Sequence, residues 1–88
     1  MIKLITYDLR SPGKDYTELY VAIKRLSPNW IHPLESVWLV QTNQGQGDVA
    51  NALIKHMDKN DQLIVSPLTT VAYFGLAQSD IDFLKLYI

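Results

Sequence analysis

The sequence predicts an α+β domain, a sheet packed by helices, and three observations carry that expectation. Short apolar, β-branched runs alternate with two segments of helical periodicity in the order β-α-β-β-α-β. Polar breaks that bear proline or glycine separate these runs. The first strand is apolar at successive positions rather than at alternate ones, the pattern of a strand covered on both faces.

Residues 2–8, Ile2-Lys3-Leu4-Ile5-Thr6-Tyr7-Asp8, predict a central strand that ends on a carboxylate. Pro12-Gly13 then breaks the chain into a loop. Asp15-Tyr16-Thr17-Glu18 has the spacing of a capping box, an N-cap acceptor followed by glutamate three residues on. The helix it opens carries Leu19, Ala22, Ile23 and Leu26 on one stripe, extended by Tyr16, with Glu18, Lys24 and Arg25 toward water. Ser27-Pro28-Asn29 ends it, because proline cannot continue the hydrogen-bond ladder.

Trp30-Ile31-His32 predicts a short strand bent at Pro33-Leu34-Glu35, and residues 36–42 form the strongest strand pattern, β-branched and aromatic. The loop Asn43-Gln44-Gly45-Gln46-Gly47 leads to Asp48, the expected cap of a second helix along Val49, Leu53 and Met57. Lys59-Asn60-Asp61 is a turn, and residues 62–66 are a strand closed by Pro67. Residues 70–75 read as a further short edge strand. Ser79 is expected to cap a last helix, with Asp80 and Asp82 in its positive first turn and Ile81, Leu84 and Ile88 on one face. The order is that of a ferredoxin-like sandwich with an added C-terminal edge strand and helix. It predicts one domain over 1–88, with its core in 1–67 and an extension in 68–88. Two helices cover one face of such a sheet; the other face is also apolar, and a second copy is expected to bury it.

Composition narrows the partners. Hydrophobic residues make up 48% of the chain and charged residues 19%, an apolar balance for so small a domain, whose surface-to-volume ratio is unfavourable. Self-association is the simplest remedy. The absence of cysteine excludes disulfides and thiolate metal sites and makes a reducing cytoplasm the expected compartment. No segment approaches the roughly 20 apolar residues of a membrane span, and the N-terminus lacks the pattern of a signal peptide. A net charge of −1 argues against strong nonspecific nucleic-acid binding, though not against a local basic strip on one face of a dimer.

Asp8 is the leading candidate for a functional group, catalytic or metal-binding. A carboxylate at the end of a central strand is expected to be desolvated, and so to need a partner. The structural alternative is a cap on the following loop, or a salt bridge to Arg10 or Lys14. One carboxylate is a poor Mg²⁺ site, since that ion usually takes one or two carboxylates with waters and substrate oxygens. A twofold axis near Asp8 would supply the second carboxylate. Arg10, Ser11 and Lys14 follow in the loop and are candidate phosphate contacts, against the plain alternative of a solvated polar loop. His32 and His56 lack ligand-like spacing and are expected in structural or surface roles, with general acid/base work the lesser alternative for His32. Trp30, Trp38 and Tyr73 are expected in core or interface rather than stacked on bases. Gly45-Gln46-Gly47 lacks the lysine and further glycines of a phosphate loop.

Tyr7-Asp8-Leu9, the strand pair meeting at Glu35-Ser36-Val37-Trp38, and Leu63-Ile64-Val65 resemble the small second core protein of the CRISPR-associated spacer-acquisition complex. The virulence-associated protein D toxins share that fold. The run from Pro12 to Tyr16, the turn from Asp58 to Asp61 and Phe74-Gly75 before the last helix are similar to its short SinR-like branch. The resemblance implies a ferredoxin-like homodimer in which the two Asp8 residues face each other near Mg²⁺ or Mn²⁺. It further implies either metal-dependent RNase or DNase activity or a non-catalytic role on nucleic acid. The near-neutral charge and the amphipathic C-terminal helix depart from the acquisition protein. They keep a second expectation open, a dimeric interaction or regulatory module whose last helix docks a protein partner. No helix-turn-helix pattern with a basic recognition helix accompanies it.

Overall fold

The apolar N-terminal run forms β1 (Ile2–Asp8), an inner strand of the sheet in a computed structural model that describes residues 1–88. It is followed by α1 (Thr17–Arg25), β2 (Trp30–Leu34), β3 (Val37–Gln41), α2 (Gln46–Ile54), β4 (Gln62–Leu68) and α3 (Gln78–Tyr87). The chain is therefore α+β, with one four-stranded sheet in the order β2-β3-β1-β4 and every neighbouring pair antiparallel. Ile5 of β1 stands opposite Trp38 of β3 and Val65 of β4, which fixes the register across the centre.

Because side chains alternate along a strand, this register sorts β1 into two faces. Ile5 packs with Trp38 and Val40 against Leu19 and Ile23 of α1 and Val49 and Leu53 of α2, all of them buried. Burying each such side chain stabilises the fold by about 1.5–3 kcal/mol relative to leaving it in water. Lys3 is buried on this same face, opposite Val40 and Pro67.

Ile2 and Leu4 point the other way, onto the face for which a second copy is expected. The chain's own α3 covers the Ile2 end of this face: Leu84 packs with Ile2 and Leu39, and Phe83, Tyr87 and Leu76 pack around them. The inner face of α3 thus runs through Phe83, Leu84 and Tyr87, while Ile88 is 42% exposed. Both stripes satisfy helical spacing, and docking on the sheet selects the one that brings two aromatic rings inward.

Residues 70–75 do not form the expected edge strand. They run as an irregular, exposed connection, and Gly75 has φ +76°, a left-handed conformation that a pleated strand does not accommodate. β4 is itself the sheet edge and extends past the expected stop at Pro67 to Leu68. An edge strand tolerates proline because its outward N–H groups have no ladder partner to lose. At the other edge Pro33 lies inside β2, where the pairing with β3 is irregular between Ile31 and Leu34.

The helix starts also differ in detail. Tyr16 stands at the N-cap of α1 with no side-chain cap, and Asp15 instead accepts the N–H and hydroxyl of Thr17, so the expected capping box does not form. The second helix begins at Gln46, ahead of the expected cap Asp48, which sits in its first turn. There the carboxylate acts on the helix dipole rather than as a side-chain cap.

Candidate functional site

Asp8 closes β1 opposite Gln62, on the same side of the sheet as Ile2 and Leu4. α3 covers the Ile2 end of that side and leaves the Asp8 end open. With Thr6, Gln62 and Ile64, Asp8 lines a shallow depression in front of the sheet. The expected desolvation is absent: 58% of the Asp8 side chain is exposed, because no helix crosses this corner. Its Oδ2 accepts a hydrogen bond from Arg10 Nε at 2.8 Å, and Arg10 is itself 54% exposed. The salt-bridge alternative raised by the sequence is thus realised through Arg10, while Lys14 pairs elsewhere.

The other candidate residues converge on the turn before β4. Ser11-Pro12-Gly13-Lys14 forms a tight turn, with Lys14 N–H donating to Ser11 C=O at 3.1 Å and Gly13 at φ +84°. Proline followed by glycine suits a type II turn, whose third residue needs positive φ. This places Lys14 Nζ 2.8 Å from Asp58 Oδ1 and over the Tyr16 ring. Asp61 accepts the Arg10 N–H at 2.7 Å, the Asp58 N–H at 2.8 Å and the Tyr16 hydroxyl at 2.8 Å. Two segments far apart in sequence, the Pro12–Tyr16 run and the Asp58–Asp61 turn, are one interlocked unit.

Electrostatics follow the geometry. The hydrogen bond from Lys14, helped by the neighbouring Ser11, holds Asp58 below the usual carboxylate range, and Asp58 raises Lys14 in turn. Burial pushes Asp61 up, but the N–H groups of Arg10 and Asp58 and the Tyr16 hydroxyl outweigh it, so its acidity rises on balance. Burial and the adjacent Asp61 raise Tyr16. Lys14 is thus engaged by Asp58, and Arg10 by Asp8 and Asp61. A phosphate at this loop would have to compete with those carboxylates.

The sequence did not single out a second network beside Asp8. Buried Trp38 donates its Nε1–H to the Tyr7 hydroxyl at 3.0 Å, and Tyr7 donates to the Glu35 carbonyl at 3.3 Å. Burial raises Tyr7 above the usual phenol range. His32 Nε2 lies 3.0 Å from the same carbonyl, and its ring stacks on Trp38 at 3.8 Å between centroids. Tyr20, Trp30 and Lys24 complete the aromatic cluster. Trp38 is thus a core residue, as expected, and Trp30 is half-buried beside it. The continuous apolar run of residues 37–40 marks Trp38 as buried, but nothing local in the sequence announces which oxygen takes its N–H.

His56 lies 3.7 Å from Glu18, far from Asp8 in the chain and on the helical layer. No group of three or more His, Asp or Glu side chains converges on one point. A divalent cation at Asp8 would find one carboxylate here, and would draw its remaining oxygens from water, a substrate or a second copy. No helix is long and apolar enough to cross a membrane. Compared with known protein families, curated proteins and solved structures, the chain matches none.

Proposed function

We propose that the chain is a ferredoxin-like homodimer, of the kind built by the small CRISPR-associated acquisition protein and the virulence-associated D toxins, that acts on nucleic acid in the cytoplasm. The observation that supports this reading is the placement of Asp8. It stands exposed at the end of an inner strand, on the half of the sheet that α3 leaves open. Two copies stacked through that half would bring their Asp8 carboxylates toward each other, the second ligand that a Mg²⁺ or Mn²⁺ ion needs. A metal so held would activate water and neutralise charge developing on a phosphodiester. Arg10 would release Asp8 to the ion and, with Ser11 and Lys14, contact the phosphates. The strand order and the two helices on one face agree with the ferredoxin-like reading.

Asp8→Asn assayed on single-stranded RNA and duplex DNA, with and without Mg²⁺, tests the enzymatic claim. Metal-dependent cleavage lost in the variant supports it; equal cleavage by both proteins, or none by either, overturns it. The non-catalytic reading, a dimeric interaction or regulatory module with Asp8 as a structural group, is favoured by one observation. Arg10 and Lys14 are already engaged with the chain's own carboxylates. Metal-independent nucleic-acid binding without cleavage, unchanged by Asp8→Asn, is its expected signature.

A further inference from the structure

On the face of the sheet that α3 partly covers, the ground beside the helix is not simply bare. A groove of about 270 Å³ runs along it, and none of its lining residues is charged. Leu4, Val37 and Leu39 form its floor on the sheet, and Leu84 and the 71–76 connection form its wall. At its rim stands Phe74, whose side chain is 99% exposed, the largest unburied apolar group in the molecule. Leu34 and Ile64 on the same sheet face are 56% and 64% exposed, and Val71 and Tyr73 on the connection 39% and 43%.

A fully solvated phenylalanine beside an empty apolar groove is a knob and a hole on one surface. From this we infer that the occupant is a second copy of the chain, each Phe74 entering the partner's groove across a twofold axis. A surface that carries both halves of the contact is self-complementary, which is the requirement of a twofold interface. Area agrees. Taking about 200 Å² for an exposed aromatic side chain, Phe74 and the exposed parts of its neighbours offer on the order of 500 Å² per copy. A symmetric pair then buries about 1,000 Å², the lower bound for a specific interface. Charge does not oppose it, since each copy carries a net −1 and the groove itself carries none.

The inference rests on the homodimer proposed above and names the surface that makes it. The same sheet face carries Asp8 at its far end, so docking through Phe74 would also constrain the separation of the two carboxylates. An apolar anchor at the centre of a contact dominates its energy, so Phe74 is the side chain to change. Being fully exposed, it can be changed without touching the monomer's core.

Sedimentation equilibrium from about 1 to 200 μM on the wild type, Phe74→Asp and Phe74→Trp tests this, with thermal melts of each protein as the folding control. The expected result is a reversible wild-type dimer, a dissociation constant raised about a hundredfold or more in Phe74→Asp, and a dimer kept in Phe74→Trp. Melts of the dissociated proteins should coincide. A wild-type dimer that Phe74→Asp leaves unchanged overturns this surface and leaves the homodimer standing. A wild type that stays monomeric at 200 μM overturns both.

Discussion

Replacing Leu84 with alanine removes the side chain through which α3 closes the second face of the sheet. Leu84 is 3% exposed and packs on Ile2 and Leu39. Leucine-to-alanine changes at buried sites cost about 2–5 kcal/mol, and less where the surroundings collapse into the space. The groove beside Leu84 is open and α3 is tethered only by its connection, so the low end applies, about 2–3 kcal/mol. A domain of this size has roughly 4–13 kcal/mol in total, so the loss is a large fraction of it. At about 4–8 °C per kcal/mol for a small domain, Tm should fall by about 10–20 °C. Leu86, on α3 but outside that packed cluster and 73% exposed, supplies the control. Its alanine variant should stay within about 0.5 kcal/mol of the wild type. Circular dichroism melts and urea titrations at low micromolar concentration read both variants. Equal behaviour of Leu84→Ala and Leu86→Ala would refute the packing of α3 on its own sheet, and would return that face to a second copy.

Tyr7→Phe leaves the buried Trp38 Nε1–H without its acceptor and should cost about 1–3 kcal/mol, read as a lower urea midpoint and a shift in tryptophan emission. Stability should also vary with pH through the loop–turn unit. Asp58 and Asp61 are lowered from 3.8, so their contribution is present above the ordinary carboxylate range and is lost as pH falls through their folded values. Lys14, raised from 10.5, and Tyr16, raised from 10.0, contribute below those values and lose that contribution as pH climbs through their folded ones. Urea midpoints between pH 2 and 11 should therefore fall on both limbs, and Asp58→Asn should flatten both; unchanged limbs would contradict the pairing. Arg10→Ala breaks an exposed ion pair worth about 0–1 kcal/mol. Its Tm should move by only a few degrees, so a larger effect on nucleic-acid binding would report contact rather than folding.

Much of the frame was legible because periodicity and breakers are local. The strand of residues 2–8, the stripe Leu19-Ala22-Ile23-Leu26 and the Pro12-Gly13 turn are all present in the structure. The features that were not legible depend on docking. Residues 70–75 have strand-like composition, yet no partner edge holds them in a ladder, and Gly75 turns them away. Asp8 was readable as a strand-terminal carboxylate. Its exposure was not, since that depends on which corner of the sheet a helix roof leaves uncovered. The role of Asp61 was hidden for a similar reason: its donors Arg10 and Tyr16 arrive from the other end of the chain.

The sequence by itself determined the α+β class, the central place of the strand ending in Asp8, and an apolar second face in need of cover. Each of these follows from the order and spacing of side chains along one segment. Only the tertiary structure decided that α3 takes part of that face, that Arg10 holds Asp8, and that Lys14 pairs with Asp58 rather than standing free. Those outcomes depend on which surfaces meet once the chain is closed, and burial, charge pairing and exposure are properties of that meeting rather than of any segment alone.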